Sequence, residues 1–465
     1  AKIANDYCKK IYVTDDNPRN ESPEKIRDEL VRCIKRNKVF NIGNRKLAIK
    51  KAIQSANLHE IVLVAGKGHE EKQIYKNKIL NISDKKIIKN LKIKIKTTNK
   101  RKKNFFQNRL ILEEILNKTK SVNFNGLSID TRLIKKDNLF LAIKGKKIDG
   151  NKFIHKAIKK KAGCVVTTSN FKNNNKKIIK IKDSIDFLNR FAKLKRKNSS
   201  AKVIAVTGSA GKTSLKNLIK DLLNNFGKTY SSPKSFNNHL GVPISLSNLS
   251  VEDKFGVFEV GMSRPGEIKN LTKLIRPNIG IITNIGEAHL ENFKNIQGIA
   301  KAKSEIIENI EPGGTVILNR DDKFFDYLFK KAKSFNLKIC TFGRHDTSDI
   351  QVRKIINKFN KSRILIKIDN QQLDFEISDL NVYNILASIA VLKELKINFL
   401  RIINKFKGMS LLEGRGKKYS IFRYKKKFKL IDESYNANPL SVKNAINKLS
   451  SIKKRNFKKY LILGD

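Results

Sequence analysis

The segment Val203–Ser214 constrains this chain more than any other. It reads VIAVTGSAGKTS: an apolar strand, a glycine turn, then Lys-Thr-Ser opening a helix. Backbone N–H groups of such a turn point at an anion, and the helix N-terminus adds partial positive charge. The cradle comprises Gly208, Ser209, Ala210, Gly211, Lys212, Thr213 and Ser214. Lys212 is placed to reach the outer phosphates of a nucleotide, and Thr213 to ligate magnesium. The spacing of Leu215, Leu218, Ile219, Leu222, Leu223 and Phe226 predicts one apolar helix face, with Gly227 suited to its stop. One departure is informative. The common phosphate-loop pattern puts a glycine where this chain has Val206, so the form here is the shorter T-G-x-x-G-K-T beginning at Gly208.

A chain of 465 residues, 40% hydrophobic, predicts about three or four domains with packed cores. Its 99 Lys+Arg against 42 Asp+Glu give a formal charge of +57, which taken alone points to a nucleic-acid or anionic-surface binder. Against that, the basic residues run along the whole chain and accompany abundant Ile and Asn, eight Pro and no Trp. That is the profile of an AT-rich genome using lysine as its ordinary surface residue, so no nucleic-acid partner is expected. Cys8, Cys33, Cys164 and Cys340 form no metal-spaced pair and fit a reduced, cytoplasmic chain. No apolar run approaches a membrane span, so no membrane insertion is expected. The chain opens on Ala and stops at Leu461–Asp465, LILGD, which reads as a strand entering its turn; both ends are expected to be cut.

Alternation of short apolar strands with helical stretches predicts an α/β fold in several domains. A first unit spans 1–90, with strands expected at Lys10–Val13 and Ile61–Val64. Residues 91–107 form a basic run expected to be a linker. A second α/β unit covers 108–199, a nucleotide-loop domain 200–410, and an unfinished unit 411–465.

Three segments downstream of the glycine turn supply what phosphoryl chemistry needs. Gly256–Gly261 reads as a buried strand carrying Glu259, a carboxylate where α/β sheets present ligands. Ile279–Phe293 runs from strand into a loop with His289, and Ile299–Ile306 reads as helix with Lys303. Thr213 and Glu259 are an oxygen pair suited to one magnesium ion.

Together TGSAGKTS, SFNNHLGVP (Ser235–Pro243), EVGMSRPGEI (Glu259–Ile268), TNIGEAHLENF, AKAKSEI and IDESYNANPLS (Ile431–Ser441) resemble the Mur ligase family over about residues 105–465. The resemblance is to the members that join D-alanyl-D-alanine to UDP-N-acetylmuramoyl-tripeptide in peptidoglycan precursor synthesis. It implies a Mur-ligase-type α/β fold: a central P-loop ATPase-like domain and Rossmann-like C-terminal domains. It further implies ATP and two Mg2+ ions, held by Thr213, Glu259, His289 and a carbamylated Lys303. A carbamate turns a cation into a carboxylate-like ligand and requires a neutral amine, hence a lysine with lowered pKa. Asn319 and Asn384 match positions near adenine and ribose, and Arg415 could reach the phosphates on domain closure. The segment Leu127–Arg132, LSIDTR, resembles the UDP-sugar-binding domain, implicating Ser128, Thr131 and Arg132. Asn238, Tyr435, Asn436 and Asn438 are matched to substrate, the last three to the incoming D-alanyl-D-alanine. One position departs: the family's histidine four residues before Asn384 is Leu380 here.

The opening segment carries IYVTDDNPRN (Ile11–Asn20) and VLVAGKGHEEKQ (Val62–Gln73), resembling the C-terminal domain of the diaminopimelate-adding member. Asp16, Asn17 and Arg19 would hold diaminopimelate, with Gly66 and Glu70 at its other end. An arginine reads a carboxylate through a bidentate fork. The sequence shows no phosphate loop ahead of this segment, so by itself the segment is expected to activate nothing. The implied reaction is ATP-dependent amide ligation by a monomer, with nucleotide binding expected to survive better than turnover in a chain whose last domain is unfinished. Two other readings stand beside it. A folate-polyglutamylating ligase shares the phosphate loop but gives no reason for LSIDTR or YNANP. An RNA- or anionic-polymer-binding protein rests on charge alone.

Overall fold

The computed structural model describes residues 2–56, 61–65, 71–84, 87–88, 97–119, 122–145, 147–170, 175, 177–287, 292–357, 361–378, 380–409, 413–423, 426–435, 439–450 and 458–463. Two units divide the chain, Ala1–Thr98 and Asn99–Asp465. In the first, strands β1 (Ile11–Val13) and β2 (Val39–Asn41) pair in parallel, each followed by a helix, Pro23–Arg32 and Arg45–Ser55. Both helices start from side-chain caps: Ser22 accepts from Lys25 N ahead of Pro23, and Asn44 accepts from Leu47 N. A hairpin of β3 (Lys72–Tyr75) and β4 (Lys78–Asn81) completes the unit's described strands. The strand expected at Ile61–Val64 is absent: residues 61–65 are irregular, with Ile61 96% and Leu63 85% exposed. Apolar alternation needs a partner edge to become a strand. This segment is instead tied through a side chain, Arg45 Nη2 donating to Ala65 O at 2.9 Å.

The second unit begins in a helix, and here the sequence expectation is corrected. The basic run read as linker over 91–107 is helical from Thr97, in the helix Thr97–Leu116. Its apolar end buries Ile111, Leu112 and Ile115. Its polar part binds a buried ammonium: Lys195, on the helix Ser184–Lys197, donates to Gln107 Oε1 (2.9 Å), Asn108 Oδ1 (3.0 Å) and Asn104 Oδ1 (3.4 Å). Burial pulls the Lys195 amine down to about 8, against the nearby Asp253 carboxylate. The residues that looked like solvated linker are the ones that solvate this lysine. Strands β5 (Leu127–Ser128), β6 (Leu139–Leu141), β7 (Cys164–Thr167) and β8 (Ile178–Lys180) form a parallel sheet over the same core, which includes Phe124, Phe187 and Phe191.

The large sheet holds β9 (Lys202–Thr207), β10 (Thr229–Ser231), β11 (Phe255–Glu259), β12 (Ile279–Ile282), β13 (Thr315–Asn319), β14 (Lys338–Gly343), β15 (Ile350–Asn357), β16 (Ser362–Ile368) and β17 (Gln371–Ile377). Their order is β10-β11-β9-β12-β13-β14-β15-β16-β17, parallel as far as β15 and antiparallel beyond. Helices cover both faces, so the central strands are near-continuous apolar runs. Alternation along β9 sorts its side chains between two cores. Ile204 and Val206 pack with Leu215, Leu222 and Ile385 of the helices Lys212–Leu223 and Val382–Glu394. Val203 and Ala205 pack with Val242 and Ile268 of the helices Gly241–Ser247 and Glu267–Ile275. Because β9 lies between β11 and β12, the chain leaves it toward both edges in turn. The crevice this creates at the carboxyl end of β9 is where open α/β sheets bind ligands.

A hairpin of β18 (Lys417–Arg423) and β19 (Lys426–Asp432) and a helix Pro439–Ser450 follow. The strand expected at the chain's end does not form over its described part: Leu461, Ile462 and Leu463 are exposed and irregular. Among the described residues no helix is long and apolar enough to cross a membrane.

Candidate active site at the phosphate loop

Backbone geometry explains the two loop glycines. Gly208 has φ +145°, and a Cβ there would sit 1.9 Å from Thr283 Oγ1. Gly211 has φ +83° as the N-cap of the helix Lys212–Leu223. The loop is clamped by the turn after β12. Ser209 N donates to Asn284 O (2.9 Å) and Ala210 N to Asn284 Oδ1 (2.8 Å). Ser209 Oγ donates to Gly286 O (2.8 Å), while Thr283 Oγ1 donates to Ala210 O (2.7 Å). The N–H groups of Lys212, Thr213 and Ser214 precede the first helical bond, Leu215 N to Gly211 O at 2.9 Å. They are the orphan donors an anion takes at a helix N-terminus. Lys212 folds back over the loop, donating to Gly208 O at 2.8 Å. Burial pushes its amine below the ordinary range, opposed by Glu259 and reinforced by the Arg415 charge.

Glu259 ends β11 and is 1% exposed. Its Oε2 accepts from Thr213 Oγ1 at 2.8 Å and lies 3.5 Å from Lys216 Nζ; its Oε1 accepts from Asn237 Nδ2 at 2.9 Å. Lys216 is fully buried and also donates to the Lys234 carbonyl. Burial lowers its amine, against the Glu259 charge. Sequence reasoning missed Lys216 and Asn237. The signals were available: Lys216 is one helical turn past Lys212 on the same face, and Asn237 adjoins the chosen Asn238. Asn238 itself accepts from Gly241 N (2.8 Å) and Leu240 N (3.2 Å), so its side chain caps the helix Gly241–Ser247.

The remaining candidates divide into those gathered at the loop and those elsewhere. Lys303, on the helix Ile296–Ser304, is 2% exposed. Burial pushes its amine well below the ordinary range, and the Lys212 charge pushes it further. Arg415 Nη2 donates to Thr213 Oγ1 at 3.2 Å, and its guanidinium lies 4.3 Å over the Tyr435 ring. Asn384 stands beside Gly211, where an added Cβ would lie 3.1 Å from Asn384 Oδ1. Asn319 Nδ2 donates to Thr283 O at 3.3 Å, behind the clamp. Leu380, in the place of the family's histidine, packs against the apolar core. Near Asn319 sits a carboxylate the sequence reading passed over in LNRDD. Asp321 accepts from Arg344 N (2.7 Å), His345 N (2.9 Å) and Tyr383 Oη (2.9 Å).

Away from the loop, Ser128 Oγ donates to Asp130 O (3.0 Å), Thr131 is buried, and the exposed Arg132 guanidinium pairs with Asp130 at 2.8 Å. In the first unit, Asn17 Oδ1 accepts from Ile74 N (3.1 Å). Arg19 has φ +51° and donates its N–H to Ile74 O (3.0 Å). Asp16 precedes them, and the neighbouring Asp15, not singled out from sequence, accepts from Tyr75 Oη at 2.9 Å and pairs with Arg27. Gly66, Glu70, His289, Asn436 and Asn438 lie outside the described residues.

The loop residues fit the groups the sequence implies. Orphan N–H donors and the half-buried Lys212 suit a polyphosphate, and the Thr213–Glu259 oxygens suit magnesium. Among the described residues no three His, Cys, Asp or Glu side chains gather as a metal cluster.

Comparison with known proteins agrees. The family described as Mur ligase middle domain matches residues 206–392, and that described as Mur ligase family, catalytic domain matches 123–196. A relative from Rickettsia prowazekii, named UDP-N-acetylmuramoyl-tripeptide–D-alanyl-D-alanine ligase, is 33% identical over 356 residues, spanning 74% of this chain and 76% of the relative. The chain belongs to the Mur ligase family. Mur ligase, glutamate ligase domain matches residues 1–68, so this Mur ligase carries that domain type ahead of the other two. Its fold is similar to a crystal structure of MurF from Acinetobacter baumannii, with 25% identity, TM-score 0.66, and 74% of this chain and 76% of that chain covered. It is likewise similar to the MurF ligase from Thermotoga maritima in complex with ADP, with 26% identity, TM-score 0.60, and coverage of 70% and 74%. The expected Mur-ligase fold is thereby borne out.

Proposed function

We propose that this protein is an ATP-dependent amide ligase that adds D-alanyl-D-alanine to UDP-N-acetylmuramoyl-tripeptide in peptidoglycan precursor synthesis. The observation that carries it is a phosphate loop whose Thr213 hydroxyl bonds the buried Glu259 carboxylate at 2.8 Å, in a chain 33% identical to a ligase of that name. The tripeptide carboxylate oxygen attacks the γ-phosphorus and ADP leaves. The dipeptide amine then attacks the acyl carbon, and phosphate departs with one former carboxylate oxygen. The protein contributes position and charge neutralisation. Lys212, Arg415 and the N–H groups ahead of Leu215 face the phosphates. Thr213, Glu259, His289 and Lys303 would hold magnesium, which when bound neutralises phosphate charge.

Burial of Lys303 beside the Lys212 charge favours a neutral amine, the form that carbamylation needs. A 13C carbamate signal in labelled bicarbonate, absent from Lys303→Met, is the expected result; an unmodified lysine would remove that role. Asn319 and Asn384 line the nucleotide; Ser128, Thr131 and Arg132 serve the UDP-sugar; Asn238 serves substrate, and Tyr435, Asn436 and Asn438 the dipeptide. The domain scheme is 1–90 with Asp16, Asn17, Arg19, Gly66 and Glu70 as a diaminopimelate-reading set, a connection over 91–107 that is helical from Thr97, then 108–199, 200–410 and 411–465. A cytoplasmic monomer without a nucleic-acid partner completes the reading. Phosphate release should require ATP, Mg2+, UDP-muramoyl-tripeptide and D-alanyl-D-alanine together. Release indifferent to the dipeptide would refute this assignment.

A further inference from the structure

The contacts around Glu259 close into a ring that ties the phosphate loop to Tyr435. Starting at Thr213, the ring passes to Glu259 (2.8 Å) and on to Asn237 (2.9 Å). Two residues earlier in the same segment, Ser235 Oγ meets Tyr435 Oη at 2.9 Å. The Tyr435 ring lies 4.3 Å from the Arg415 guanidinium, which returns to Thr213 Oγ1 at 3.2 Å. A second strut fixes the same segment: the fully buried Lys216 donates to the carbonyl of Lys234, whose φ is +44°. The Tyr435 side of the ring is also built tightly. Tyr435 N donates to Gly414 O at 3.1 Å, and a Cβ on Gly414 would fall 2.7 Å from Tyr435 Cβ.

We infer that Tyr435 is a positioning residue for Arg415: its ring holds the guanidinium over the phosphate loop, and its hydroxyl anchors that ring to Ser235. This rests on the ligase reading above and gives Tyr435 a duty toward the nucleotide in addition to its place beside the dipeptide. An arginine on a flexible stem loses rotamer freedom when it binds phosphate, and a stacking partner removes part of that cost beforehand. The guanidinium is then already aimed at the outer phosphate when a triphosphate arrives.

Calorimetric binding of a non-hydrolysable ATP analogue and of ADP, each with Mg2+, to the full chain tests this without turnover. Tyr435→Leu should weaken the triphosphate analogue about tenfold and ADP less than about twofold. Tyr435→Phe, which keeps the ring, should recover most of that loss. The double variant Tyr435→Leu/Arg415→Ala should bind the analogue no worse than Arg415→Ala alone, since the tyrosine acts through the arginine. Unchanged analogue affinity in Tyr435→Leu, or additive losses in the double variant, would overturn the inference. A wild-type protein that binds neither nucleotide would instead overturn the ligase reading on which it stands.

Discussion

A Lys212→Ala variant should lose dipeptide-dependent phosphate release by about 10³-fold or more, while melting at or above the wild-type temperature. The two halves have one cause. Lys212 is half-buried; its ammonium donates to the Gly208 carbonyl and is favoured by the Glu259 charge. Without nucleotide, the ammonium is a desolvated charge whose burial lowers its pKa, so its removal costs the empty fold little. In the proposed reaction it is one of the cations set beside the developing phosphoryl charge, where a fixed donor in a dry site is worth several kcal/mol. Steady-state phosphate release and a thermal melt check both halves. A variant that stays active, or one that unfolds, would contradict the role.

Glu259→Ala should cost about 3–5 kcal/mol of stability as well as activity. The Glu259–Lys216 pair is buried on both sides, at 2% and 0% side-chain exposure, so removing the carboxylate strands an ammonium in the core. It also removes the acceptor of Thr213 and Asn237. Denaturant unfolding measures the stability loss. A second variant separates the roles: Glu259→Gln/Lys216→Met removes both charges at nearly constant volume and should recover most of the stability. Activity should not return, because a neutral amide cannot replace a carboxylate as the hard oxygen ligand magnesium prefers. Recovery of both would make Glu259 merely structural.

Much of this was legible in the sequence, where chemistry is local. The strand, glycine turn and helix at Val203–Leu223 followed from apolar spacing and from two glycines, both found at positive φ. Glu259 at a strand end followed from the buried reading of GVFEVG. What escaped depends on partners far along the chain. The run after Leu91 looked like linker because its Asn and Gln residues have no local reason to be buried; Lys195, about ninety residues on, supplies it. Ile61–Val64 reads as strand by composition but has no partner edge among the described residues. Lys216 looked like one more surface lysine in a chain with 99 basic residues, and only the tertiary position of Glu259 distinguishes it. Nothing in NNH says which amide accepts from the helix start and which donates to the Glu259 carboxylate.

The proposed reaction requires a carboxyl group to be activated at the loop Gly208–Ser214. UDP-muramoyl-tripeptide labelled with 18O in its terminal carboxylate, incubated with ATP, Mg2+ and D-alanyl-D-alanine, tests this most directly. One labelled oxygen should appear in each released phosphate, in step with peptide formation. Phosphate whose extra oxygen comes from water, or carboxylate label that leaves to water rather than to phosphate as peptide forms, would contradict it.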